Sequence, residues 1–157
     1  MNVKLLVVSK TDVPFVQEGI DVYLKRLKHY VNFEIDVVPA LKDSKGLSPD
    51  EVKQREGVLL LKRMEHCDRV VLLDEHGTEH TSVEFAQYLQ KQMNGGVRNL
   101  TFVVGGAFGF SPAVYQAAYD KMSMSRMTFN HQMVRMFFVE QLYRAFTIMK
   151  GEPYHNS

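Results

Sequence analysis

The residues able to do chemistry gather in the last third of the chain. An apolar run, Val103-Val104, ends in Gly105-Gly106-Ala107-Phe108-Gly109. A second loop, Ser123-Met124-Ser125-Arg126-Met127-Thr128-Phe129-Asn130-His131-Gln132, leads straight into an unusually apolar helix. A strand that stops at glycines lets a ligand approach the main chain closely, because no Cβ stands in the way. Two such loops near one another make a pocket walled by backbone amides. Other reactive residue types read more plainly. Asp74, Glu75 and His76 supply too few assembled ligands for a metal and read as a polar loop. The single cysteine, Cys67, cannot form an internal disulfide or a multi-cysteine zinc site, and it fits a reducing cytoplasm. Lys25, Arg26, Lys28 and His29 form a basic cluster that is either a phosphate contact or a solvated helix face.

Strands and helices must alternate to position these loops. Residues 3–8 read as a buried strand, and Thr11 or Asp12 as the cap of a helix running to about residue 30. A second strand follows at 33–38, ended by Pro39, and then a surface loop at 41–47. Ser48-Pro49-Asp50-Glu51 is a helix start, with a capping serine, a first-turn proline and acids at the positive dipole end; the helix reaches about residue 64. Residues 70–73 form a third strand followed by the polar turn Asp74-Glu75-His76-Gly77. A helix at 82–92 ends at Asn94-Gly95-Gly96. Residues 100–104 form the fourth strand, Ser111-Pro112 opens a short helix, and a small strand lies at 121–123. The final helix spans roughly 131–150. Nearly all-apolar strands alternating with helices imply an α/β fold whose parallel sheet is covered on both faces. In such sheets ligands bind beyond the carboxyl ends of strands, where the loops after Leu73, Val104 and the short strand lie.

Length, composition and charge narrow the class. A chain of 157 residues with 45% hydrophobic and 24% charged residues reads as one globular domain, 1–157, with no linker or repeat. The net charge of +1 provides no general attraction to nucleic acid. The opening apolar run is too short for a signal peptide or a membrane span, so the chain reads as cytoplasmic, with no membrane partner. The last helix carries apolar residues on more than one face, including Met133, Phe137, Phe138, Leu142, Tyr143 and Phe146. One side suits the sheet and the other a second subunit, so a homodimer is expected. Glu140 and Arg144 are spaced to pair on this helix. The methionines from Met122 onward read as adaptable packing.

Several segments together resemble one family. They are Val7-Val8-Ser9-Lys10; Val71-Leu72-Leu73-Asp74 with Gly77; Val103-Val104-Gly105-Gly106 with Gly109; Ser125-Arg126-Met127-Thr128-Phe129 with His131-Gln132; Glu140-Gln141-Leu142-Tyr143-Arg144-Ala145; and Gly151-Glu152-Pro153-Tyr154-His155. In this order they resemble the RlmH-type ribosomal RNA methyltransferases of the SPOUT superfamily over essentially the whole chain. The resemblance implies an S-adenosylmethionine-dependent enzyme that methylates N3 of a pseudouridine in 23S ribosomal RNA within the assembled ribosome. It also implies a homodimer, a C-terminal trefoil knot that periodicity could not reveal, and no metal. The cofactor-binding positions it implies are Leu73, Gly105, Met124, Ser125, Arg126, Met127, Thr128 and Phe129. It marks Arg144, Tyr154 and His155 as parts of the substrate site.

The chemistry agrees with those assignments. Adenine needs apolar walls and a few main-chain hydrogen bonds, which Leu73, Met127 and Phe129 with nearby amides supply. An activated methyl donor leaves the enzyme mainly to align nucleophile, methyl and leaving sulfur. The acceptor imide must lose a proton, and His155, Tyr154 and His131 are the candidates to orient the base or accept it. Two positions depart from the family pattern: Asn130 stands where proline is common, which predicts a less rigid approach to the last helix, and Phe108 where a small or polar residue is usual, leaving stacking on a base as its contribution. Two rival readings remain. The strand–glycine–helix pattern suggests a nucleotide-dependent oxidoreductase, but the glycines lack the G-x-G-x-x-G spacing. The other rival is a non-catalytic RNA- or ribosome-binding module on the same scaffold.

Overall fold

A computed structural model describes residues 1–156. Five strands form one parallel sheet: β1 (Asn2–Val8), β2 (Asn32–Val38), β3 (Arg69–Glu79), β4 (Asn99–Val104) and β5 (Asp120–Ser123), in the spatial order β2-β1-β4-β3-β5. The helices are α1 (Pro14–Leu27), α2 (Pro49–Met64), α3 (Ser82–Asn94), α4 (Pro112–Ala117) and α5 (Met133–Met149), followed by a 3-10 turn at Pro153–Asn156. Side chains alternate across a strand, so the unbroken run Leu5-Leu6-Val7-Val8 feeds two cores. Leu5 and Val7 join Phe85, Leu89, Phe102, Phe138 and Leu142 beneath α1, α3 and α5. Leu6 and Val8 join Leu60, Leu72, Val103, Phe110 and Val114 beneath α2 and α4. The sheet expected from the sequence is therefore present with both faces covered.

The element ends differ from expectation in instructive ways. Ser48 and Glu51 form the reciprocal capping box of α2. Thr81 and Glu84 do the same for α3, one residue before the serine that begins it. Neither Thr11 nor Asp12 caps α1, whose N-cap is Val13 with no side-chain bond. Both are engaged elsewhere: Thr11 Oγ1 accepts from Arg135 and the Asp12 amide donates to Gln132. Pro14, in the first turn, has no N–H to satisfy. The expected polar turn after Leu73 is an irregular stretch inside β3, which resumes its pairing with β5 at Thr78. Gly77 permits this crossing, since a Cβ there would lie 2.6 Å from the Met122 nitrogen.

α5 packs between α1 and α3 on one sheet face, so the chain itself buries most of this apolar helix. Among its large apolar residues Phe137 is exposed. At its start lies Arg135, a charged residue with no accessible surface. Its guanidinium donates to the carbonyls of Val8 (2.8 Å), Ser9 (2.9 Å) and His131 (3.1 Å) and to Thr11 Oγ1 (3.1 Å). Burial works against its charge while Asp12 supports it. Next to it, Gln132 accepts from the Asp12 amide and donates to the Lys10 carbonyl. The chain leaving β5 at one edge therefore crosses the carboxyl ends of β3 and β4 and is fastened at the end of β1. Among the described residues no helix is long and apolar enough to cross a membrane.

Replacing Arg135 by methionine keeps volume but strands buried carbonyls. Arg135→Met should lower the unfolding free energy by about 3 kcal/mol, read from chemical denaturation. A loss below about 1 kcal/mol would show that these bonds are dispensable.

Candidate active site

The crossing segment roofs a cavity of about 600 Å³ at the strand ends. Its floor is Leu73, Val104 and Gly105. One wall is the turn 106–110 and the other the residues 74–76, beneath the roof formed by 124–131. Of the positions expected to hold a cofactor, Leu73, Gly105, Met124, Ser125, Met127, Thr128 and Phe129 all line it. Arg126 does not: its side chain is 86% exposed and pairs with Glu79 at 3.5 Å. Its side chain is thus turned away, leaving at most its main chain to serve the cavity.

Local hydrogen bonds explain the shape of these walls. Ser123 Oγ donates to the Ser125 carbonyl, and Ser125 Oγ accepts from the Met127 amide, so the loop turns twice on its own hydroxyls. Thr128 Oγ1 donates to Glu75 at 2.6 Å, joining the roof to the far wall. Asn130 Oδ1 accepts from the amides of Gln132 (2.8 Å) and Met133 (3.4 Å), so this departure from proline supplies acceptors at the start of α5. In the glycine turn the Gly109 amide donates to the Gly106 carbonyl, and Gly109 takes a φ of 84° that favours glycine. Gly105 is under a second constraint beside the ligand approach expected from the sequence. A Cβ there would meet the Phe110 ring at 3.2 Å and the Gly109 carbonyl carbon at 3.3 Å, so its bareness closes the turn as well as opening the floor.

Asp74 accepts from the Tyr115 hydroxyl and from the His76 amide. Burial, then the bond to Asp74, pushes the Tyr115 phenol well above its usual range. Phe108 stands half-exposed at the rim, and His131 also lines the cavity.

Arg144, Tyr154 and His155 come together, but away from this cavity. Arg144 pairs with Glu140 at 2.8 Å, as the spacing predicts, and its guanidinium lies 3.2 Å from His155 Nδ1 and over the Tyr154 ring. The Tyr154 hydroxyl donates to Glu140 (3.3 Å) and meets the Tyr23 hydroxyl (3.4 Å). Burial first, then the bond with Tyr23, pushes the Tyr154 phenol far up. The tail is anchored again where Tyr30 donates to Glu152 at 2.6 Å, a bond that leads the causes pushing Tyr30 up to about 12. None of Arg144, Tyr154 and His155 lines the cavity. Val134 does, and Arg144 follows it by about three helical turns, about 15 Å along α5.

Glu56 was not legible as a site residue. It lies in α2, 9% exposed, and its Oε1 is shielded from solvent with no hydrogen-bond partner among the described residues. Both carboxylate oxygens sit against Gly106: a Cβ there would come within 2.5 Å and 2.7 Å of them. Burial pushes this carboxyl up. The one signal in the sequence is Gly57, a glycine inside a helix. The structure shows why it is there, since a Cβ would meet Ser111 Oγ at 2.5 Å.

A sheet of this order with a small-molecule cavity at its strand ends matches a known class. The family model described as "Predicted SPOUT methyltransferase" matches residues 1–155, and the chain belongs to that family. It is 49% identical over 156 residues to the Ribosomal RNA large subunit methyltransferase H of Flavobacterium johnsoniae. It is 50% identical over 156 residues to that of Parabacteroides distasonis; each alignment covers 99% of this chain and 99% of the relative. Among solved structures, a "Probable Methyltransferase" from Bordetella pertussis Tohama I superposes with a TM-score of 0.56 at 13% identity, covering 92% of this chain and 95% of that one. TrmJ from Z. mobilis ZM4 gives 0.55 at 10% identity, covering 94% and 70%. At such identities these two structures speak for the fold alone.

The burial of Glu56 has a direct consequence for stability. A carboxyl pushed up in the folded state favours the protonated form there, so its contribution is full below the unfolded pKa and is lost as pH rises through the folded one. Glu56→Gln should therefore melt above the wild type at neutral pH, and the two should converge below about pH 4. Parallel melting temperatures across that range would contradict the buried, unpaired carboxylate.

Proposed function

We propose that this chain is an S-adenosylmethionine-dependent methyltransferase of large-subunit ribosomal RNA, transferring a methyl group to N3 of a pseudouridine in 23S RNA. The single observation that carries the reading is the cavity at the strand ends, lined by residues from the three loops the family resemblance implies. The relatives matched along their full length are ribosomal RNA large subunit methyltransferases, which supports the RNA class. The cavity fits the donor in size, as small-molecule sites run from about 300 to 1,000 Å³, and in charge. Asp74 and Glu75 line it, Glu56 is buried against Gly106 in its wall, and the lining Lys53 is paired with Asp50, a setting suited to a cation. Leu73, Met127 and Phe129 wall the adenine, while main-chain groups of Gly105 and of residues 124–129 grip the remainder. The bound donor supplies an already activated methyl group, so the protein needs no metal.

The protein's own task is to hold the acceptor in line and to manage its proton. Arg144, Tyr154 and His155 form the acceptor site: Arg144 holds the RNA, and the tail orients the base. Their separation from the cavity along α5 favours a homodimer in which one copy's tail faces its partner's donor. Phe15 and Val22 on α1, Phe129 and Phe137 are the exposed apolar residues such a pairing would cover. In this reading the single domain carries a C-terminal trefoil knot, the last helix being threaded through a loop, and the enzyme works in the cytoplasm on ribosomal particles.

Incubation with methyl-labelled donor and ribosomes lacking the modification should label 23S RNA at one pseudouridine, located by mass spectrometry. Absent labelling beside an active relative would leave a ribosome-binding module instead. Deleting residues 154–157 should cut transfer about a hundredfold while donor affinity stays within about threefold. Equal losses in both would remove the tail from the acceptor site. Mixing Arg144→Ala and Gly105→Val chains should restore activity that neither variant shows alone; no recovery in mixed dimers contradicts the shared site.

A further inference from the structure

We propose that Glu56 is the charge complement of the cavity. Seated behind Gly106, its carboxylate favours a cationic sulfonium donor over the neutral thioether left after methyl transfer. The inference rests on the donor-site reading above and assigns a residue to it from outside the cavity wall.

The placement is set by packing. Gly57 allows α2 to close onto Ser111, with only 2.5 Å between that oxygen and where a Cβ would stand. One residue earlier, Glu56 is thereby pressed against the glycine turn. Gly106 lines the cavity, and both Glu56 oxygens lie within 2.7 Å of where its Cβ would stand, so the carboxylate packs directly against a residue of the cavity wall. Every other acid near the cavity has a protein partner. Asp74 accepts from Tyr115 and the His76 amide, and Glu75 accepts from Thr128. Lys53, one turn before Glu56 and lining the cavity, pairs with the exposed Asp50 at 3.3 Å. Glu56 alone offers a buried oxygen with no donor among the described residues.

A buried carboxylate without a partner is costly, and a cation across a wall one glycine thick offsets that cost. The donor's sulfonium carries a charge that does not titrate. When the methyl group leaves, the sulfur keeps the bonding pair and becomes neutral. Donor and product thus differ only at the sulfur, by that methyl group and by one charge, and the charge makes the carboxylate a discriminator between them. With solvent screening, its effect is a preference on the order of tenfold. The same feature helps product leave after each turnover. A mere support for the glycine turn would act differently, since a displaced turn weakens both ligands alike.

The test is calorimetric titration of the full chain with S-adenosylmethionine and with S-adenosylhomocysteine, for wild type, Glu56→Gln and Glu56→Met. The glutamine variant keeps the shape; the methionine variant removes the polar group altogether and decides the matter should glutamine disturb folding. Both should weaken the methionine ligand about tenfold while moving the homocysteine ligand less than about twofold. Equal weakening of both ligands, or an unchanged ratio, overturns the charge role while leaving the donor site standing. A wild-type chain that binds neither ligand refutes the donor site and this inference together.

Discussion

One buried guanidinium sets the geometry on which the site depends. Arg135 lies under the end of β1 and donates to the carbonyls of Val8 and Ser9, at the point where the strand gives way to a residue with φ of 62°. Arg135 thus uses its donors on main-chain carbonyls, and a charge so buried persists only when its donors are used. The pairing fixes where α5 begins. Because β5 lies at the opposite edge from β2, the chain between β5 and α5 must cross the ends of β3 and β4. That crossing is the roof of the cavity. Gln132 secures the same junction through Lys10 and Asp12, so the segment is held at both ends and its middle rests on Ser125, Thr128 and Glu75.

α5 then carries two kinds of chemistry at its two ends. Near Val134 it faces the cavity, where main-chain groups and apolar side chains predominate. Near Arg144 it bears an aromatic and charged cluster completed by the tail, with Tyr23 from α1 and Glu140 binding Tyr154 from two sides. Such division suits a reaction with two unlike substrates: a small cation held by its surface, and a large polyanion met by a guanidinium. Under the proposed function it is also how a chain with a net charge of only +1 would address RNA. In that reading, local placement of a few cations and the fit of a paired assembly would do what bulk charge does not.

The fold was largely legible because its signals are local. Ser48-Pro49-Asp50-Glu51 announces a helix start by itself, and continuous apolar strands separated by helices leave few alternatives to a covered parallel sheet. The cavity wall was legible through the resemblance, since glycine pairs alone lack specificity. What escaped reading depends on contacts across the chain. Thr11 and Asp12 look like caps because their alternative partners, Arg135 and Gln132, stand over a hundred residues away. Arg135 in an apolar helix offers no sign that it points inward. Glu56 reads as an ordinary helix acid until Gly57 is explained by Ser111, and Gly106 by Glu56. The separation of Arg144 from the cavity follows only from the rise of α5.

The most direct measurement is a crystal structure of the full chain grown with S-adenosylmethionine. Donor density is expected on Gly105 beneath residues 124–129, held mainly by main-chain atoms, with the partner copy's tail turned toward the methyl group. Density elsewhere on the sheet, or a roof segment that lies open with the cavity filled by side chains, would contradict it.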